Sequence, residues 1–206
     1  LERAVHALAS LFPERFLRDL SVQTSGTYVS TALQLVRGIL IARLLGPASL
    51  GVYSFVNIFI SYSSYADFGM GRVPSREIPL ALGAGDSEKA EEWRWYGAFA
   101  TTACALLAAA AIAAYVAIAW DSLDATLRIG LLTACVVIVT SAFAVEQQVV
   151  LRAYQYFGRL NALVVFTAVV SLVAGVAGAW IAGVRGVFIS QAVAYLLAAV
   201  VSLVLA

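Results

Sequence analysis

The sequence predicts an all-α fold, a polytopic bundle of about six transmembrane helices, and three observations carry that expectation. Hydrophobic residues make up 62% of the chain and charged residues only 12%, whereas a soluble domain carries about 25% charged residues. Mean hydropathy is +0.91. The apolar residues also fall in runs, at 20–45, 50–69, 95–119, 126–148, 161–182 and 184–206, each close to the ~20 residues that a helix needs to cross a ~30 Å hydrocarbon layer.

Segment 1–19 mixes Glu2, Arg3, Glu14, Arg15, Arg18 and Asp19 with Val5, Leu8, Phe12 and Phe16, a pattern expected to lie flat in the membrane interface. The apolar run after it is too long for a cleavable signal, so the first span is expected to stay in the protein. In the third run, Ala98 to Ala119 carries no charge and is bracketed by Trp93, Trp95 and Tyr96 on one side and Trp120 on the other. Amphipathic rings belong at the headgroup levels, and Trp95 to Trp120 at ~1.5 Å per residue gives about 37 Å, one crossing.

The longest connection, 70–94, contains Pro74, Pro79 and the turn-forming Gly83-Ala84-Gly85-Asp86, and reads as a structured cytoplasmic loop. Asp86, Glu88, Glu91 and Glu92 then put negative charge on the opening turns of a helix, where the backbone dipole favours it. Arg3, Arg15, Arg18, Arg72, Arg76, Lys89, Arg94, Arg152 and Arg159 fall in one alternate set of connections, against Arg43, Arg128 and Arg185 in the other. That imbalance predicts cytoplasmic N- and C-termini. The chain begins at Leu1 and is still apolar through Ala194–Ala206, which suggests a fragment of a longer protein.

Several chemistries find no support. Cys104 and Cys135 sit far apart inside apolar runs and read as small packing residues, and the lone His6 has no second His or Cys nearby, so no metal site is expected. No basic nucleic-acid footprint appears. A Walker A loop, an HExxH motif and a nucleophile elbow are all absent from the sequence, and neither a cofactor nor an enzymatic activity is expected.

The first run carries Gln23, Thr27, Ser30, Gln34 and Arg37, spaced 4, 3, 4 and 3, which is one face of one helix. An Arg near the centre of a span costs ~2.5–3.5 kcal/mol on the insertion scale, so this face is expected to look into a wet cavity. Asn57, Ser61 and Ser64 with Tyr53 repeat the pattern in the second run, which ends at Asp67. The fourth run places Thr133, Thr140 and Gln147 at sevenfold spacing beside Glu146 and Gln148. Runs one, two and four are thus the expected polar side, and three, five and six the apolar side. The plainer alternative for Arg37 is an ion pair with Asp67 or Glu146 that fastens helices together.

A family resemblance rests on further residues. Ile41-Ala42-Arg43-Leu44-Leu45-Gly46-Pro47 and Leu50-Gly51-Val52-Tyr53-Ser54-Phe55 resemble the junction of the first two helices in polysaccharide-biosynthesis flippases of the multidrug/oligosaccharidyl-lipid/polysaccharide (MOP) exporter superfamily. Ala66-Asp67-Phe68-Gly69-Met70, then Ser75-Arg76-Glu77-Ile78, is similar to the passage leaving their second helix, and Arg152 to Arg159 to the loop after the fourth. The resemblance implies a single transmembrane domain, 1–206, equivalent to the N-terminal lobe of a two-lobed carrier. It also implies translocation of undecaprenyl-diphosphate-linked oligosaccharide across a bacterial inner membrane, for polysaccharide or O-antigen of lipopolysaccharide, through a cationic cavity. Expected partners are that anionic lipid, membrane lipids and a second lobe. The competing expectations are a MOP-type drug antiporter, which needs a deep acidic pocket, and a non-transporting scaffold subunit.

Overall fold

The computed structural model describes residues 14–67 and 69–205. They form helices and no strand: α1 (Glu14–Ser63), a 3-10 turn (Met70–Arg72), α2 (Val73–Gly83), α3 (Ser87–Ile118), α4 (Ala125–Ala153) and α5 (Phe157–Leu205). Residues 1–13 of the expected interfacial segment, His6 among them, and Phe68 lie outside the described residues. Four stretches are long and apolar enough to cross a membrane: Gln23–Ser63, Ser87–Ile118, Ala125–Ala153 and Phe157–Leu203.

The first and last of these contain 41 and 47 residues, which at ~1.5 Å each would reach about 60 and 70 Å, twice a bilayer core. Neither runs straight. Gly46 (φ 72, ψ 171) interrupts α1, and Ala182 (φ −137, ψ 19) with Gly183 (φ 60, ψ −140) interrupts α5. The chain doubles back at both breaks. Arg37 lies beside Gly175 and also beside Gln191, positions that a straight helix would hold about 24 Å apart. Gln34 and Ser61 likewise line one cleft, where a straight α1 would separate them by about 40 Å. We therefore divide α1 into α1a (14–45) and α1b (47–63), and α5 into α5a (157–181) and α5b (184–205).

Gly46 adopts a φ/ψ combination almost confined to glycine, and Pro47 then opens α1b at a position where a missing N–H costs nothing. A Cβ at Gly46 would meet no neighbour, so a side chain there is penalised through the backbone alone. Gly46→Ala is expected to cost about 1–3 kcal/mol. The helical Gly51, also open on its Cβ side, provides the control. Thermal unfolding in detergent should fall for Gly46→Ala and stay level or rise for Gly51→Ala.

The connection 70–94 is not the loop expected. It holds the 3-10 turn, the 11-residue α2 and the first turns of α3, which begins at Ser87 rather than near Trp95. Pro74 sits in the first turn of α2, where helices accept proline. Pro79 falls on an exposed side, so the carbonyl it leaves unpaired is not trapped in a core. Asp86 caps α3 by accepting from the Lys89 amide at 3.0 Å. Ile78 and Ala81 of α2 pack on Ala90 and Ala153, with Trp93 and Tyr154 alongside, and this cluster closes one end of the bundle.

The opposite end is closed by Val56, Val116, Leu131, Ala134 and Phe188. There Asp124 caps α4, and the Thr126 amide that bonds to its carboxylate at 2.9 Å holds that carboxyl below the usual range. Arg128 lies 4.7 Å over the Trp120 ring. α4 is the central helix: it packs against every other helix, while α1 packs chiefly against α5. The outer surface is apolar, with Phe99, Ile118 and Trp180 each more than three-quarters exposed. An apolar shell of this extent suits hydrocarbon and not water.

Candidate functional site

Arg37 lies on α1a nine residues before the Gly46 break, about 13 Å along the helix. Its Nη2 donates to Gln191 Oε1 at 3.5 Å, the outer limit of a hydrogen bond, and its buried Nε has no acceptor. The guanidinium can lie there because Gly175 has no side chain; a Cβ would come within 2.9 Å of Nε. Among the described residues no carboxylate pairs with Arg37, so neither Asp67 nor Glu146 is its counter-ion here.

Arg37 faces a cleft of about 400 Å³. Gln34, Ser61 and Ser64 come to it from α1, Ser141 and Gln148 from α4, Thr167 and Ser171 from α5a, and Tyr195 from α5b. Not one of its lining residues is acidic. The hydroxyls of Ser64, Ser141 and Thr167 donate to carbonyls of their own helices. That leaves Arg37 as the cationic group and the strongest donor presented to the cleft, with the side-chain amides of Gln34 and Gln148 beside it. Such a site attracts an anion, and a guanidinium in particular fits a phosphate through paired hydrogen bonds.

A second cleft of about 650 Å³ adjoins the first, sharing Ser64 and Val145 with it. Asp67, Arg72, Thr101, Glu146 and Arg152 line it. Asp67 accepts from the amides of Gly69 (3.1 Å) and Gly71 (3.2 Å), which shapes the turn into Met70–Arg72. Arg72 and Arg152 form no ion pair among the described residues. The two clefts make one groove running from Arg37 to the end of the bundle that carries α2.

The residues singled out from the sequence divide into three groups. Gln34, Arg37, Ser61 and Ser64 meet in the central cleft. Gln23 and Thr27 line a separate small niche with Arg152 and Asn161. Ser30 donates to the Thr27 carbonyl and Asn57 to the Tyr53 carbonyl, and neither lines these cavities. On α4 the cleft-facing residues are Ser141, Ala144, Val145 and Gln148, not the expected Thr133, Thr140 and Gln147; Gln147 is buried, and both threonines donate to their own helix. Thr167, Ser171, Gln191 and Tyr195, on runs expected to be the apolar side, complete the surroundings of Arg37. Their spacing of four within each pair was the available signal.

Comparison with family models, with curated proteins and with solved structures yields no match.

Proposed function

We propose that this chain is one lobe of a membrane carrier for an anionic lipid-linked oligosaccharide of the undecaprenyl-diphosphate type, lying as six spans with both termini cytoplasmic in a bacterial inner membrane. The observation that carries the reading is Arg37: a cation without a counter-ion among the described residues, in a cleft with no acidic lining residue. A diphosphate headgroup supplies the missing acceptors.

Two further observations support it. The doubling back at Gly46 and at Ala182-Gly183 yields six helical rods of spanning length from four continuous helices. Arg72 and Arg152 line the end of the groove, where they attract an anionic headgroup towards it. The drug-antiporter alternative calls for a deep acidic pocket, whereas the cleft at Arg37 has no acidic lining residue and Asp67 and Glu146 line only the adjoining one. A second lobe across the open side of the groove completes the carrier in this reading.

Two measurements test it. Cysteines placed at Ser49 and Gly83 in the reconstituted protein should react with impermeant maleimide from opposite faces of the membrane; labelling from one face would overturn the topology. Titration of tryptophan fluorescence with undecaprenyl diphosphate should give binding at least about tenfold tighter than with undecaprenol, since charge-assisted hydrogen bonds contribute ~1.5–3 kcal/mol. Equal affinity for the two lipids would overturn anion recognition by Arg37.

A further inference from the structure

The groove contains a second buried ionisable group that anion recognition does not use. Glu146, on α4, is 3% exposed. Its Oε2 has one partner, the Thr101 hydroxyl at 3.5 Å, and its Oε1 has none. Oε1 is wedged instead against α3 and α2: a Cβ at Gly97 would come within 2.8 Å of it and would also strike Pro74. An ionised carboxylate needs several short donors, with O–H···O⁻ contacts near 2.5–2.7 Å. This pocket offers one long one, and no cation lies within ion-pair distance among the described residues. As built, it accommodates a neutral carboxyl.

The same side chain lines the wide part of the groove, where charge is abundant. Asp67 faces it from the end of α1, Arg72 from the 3-10 turn, Arg94 and Thr101 from α3, and Arg152 from its own helix. α2 contributes Pro74 and Ser75, neither of them charged, and no residue of α5 lines this cleft. Asp67 is already held by two amides and Arg94 by Glu91. Arg72 and Arg152 are the cations left for a freed carboxylate.

We propose that Glu146 is a proton-binding site that latches α3 to α4. With the proton on, the neutral carboxyl sits in the wedge formed by Gly97, Pro74 and Thr101, and the helices close on it. When the proton passes to groove water, the carboxylate leaves the wedge for Arg72 and Arg152, and the packing of α3 on α4 loosens. The site does not depend on which anion Arg37 takes, so its failure and the failure of the transport reading are distinguishable.

Cys104 reports on the latch, because it lies one turn beyond Thr101 and lines the small cleft between α3 and α4 with Asp67 and Ile138. Maleimide labelling of Cys104 in the reconstituted chain, with Cys135→Ser removing the other thiol, should be followed across pH in parallel with Glu146→Gln, which keeps the neutral shape. The glutamine variant corrects for thiol ionisation. The ratio of the two rates is expected to rise about tenfold from acid to alkaline pH as the latch shifts population. A ratio that stays flat overturns the proposal. Infrared difference spectra provide a second readout: at neutral pH the wild type should show the C=O stretch of a protonated carboxyl, shifted by Glu146→Asp. Absence of that band at neutral pH also overturns it.

Discussion

Arg37→Ala is expected to abolish complementation of a flippase-deficient strain while leaving membrane insertion and thermal stability unchanged. The two halves of this expectation have separate grounds. Stability is spared because the guanidinium has only a 3.5 Å contact with Gln191 and an Nε without an acceptor, so truncation breaks no well-formed bond. In the proposed carrier, function is lost because the removed group is the cation of its cleft. Truncating one partner of a buried charge pair costs about 2–5 kcal/mol, more than tenfold in affinity. Arg37→Lys keeps the charge but not the paired donors, and should fall between wild type and alanine. Full complementation by Arg37→Ala would return the residue to a packing role.

Gly186→Leu is expected to give the largest loss of stability. Gly178 on α5a and Gly186 on α5b face each other so closely that a Cβ on either would run into the backbone carbonyl of the other. Small residues are what allow membrane helices this approach, and the contact closes the α5 hairpin. A leucine has nowhere to go without separating the two halves. Overpacking costs about 1–3 kcal/mol where neighbours can yield, and here the obstacle is main chain. The shift would also carry Gln191 and Tyr195 away from Arg37, since both ride on α5b. Thermal unfolding should show a clear drop, with Gly38→Ala as the contrasting substitution. Gly38 meets nothing within 4 Å, and alanine there adds helix propensity of up to about 1 kcal/mol. An unchanged midpoint for Gly186→Leu would mean that the hairpin is not closed at this point.

Much of this architecture is legible in the sequence because lipid imposes simple rules. The limits expected at 45 and 182 coincide with the breaks at Gly46 and Ala182-Gly183, positions where a long apolar run must stop and where glycine, proline or both are present. The polar face of α1a was likewise readable from its spacing, and it brings Gln34 and Arg37 to the cleft. What failed has one physical cause: polarity marks a side chain that needs a partner, not the direction in which the partner lies. Thr133 and Thr140 satisfy themselves on their own helix, so the stripe they draw is not the cleft face. Gln191 and Tyr195 are hard to read as site residues because their neighbours are so apolar that two polar residues barely change the average. α2 reads as a loop in the sequence because it holds two prolines, although one occupies a first turn and the other an exposed side.

The contact between Arg37 and Gln191 joins residues 154 positions apart. At about 5–20 residues per second of synthesis, roughly 8–30 s pass between the two leaving the ribosome. Throughout that interval the first helix pair sits beside the translocon with a guanidinium whose seat on α5 does not yet exist. Water, an anionic headgroup or an insertion factor must shelter the charge until α5 arrives. A chain halted before residue 191 should therefore be retained at the insertion machinery or degraded, and the Arg37→Leu form of the same truncation should be released into the bilayer.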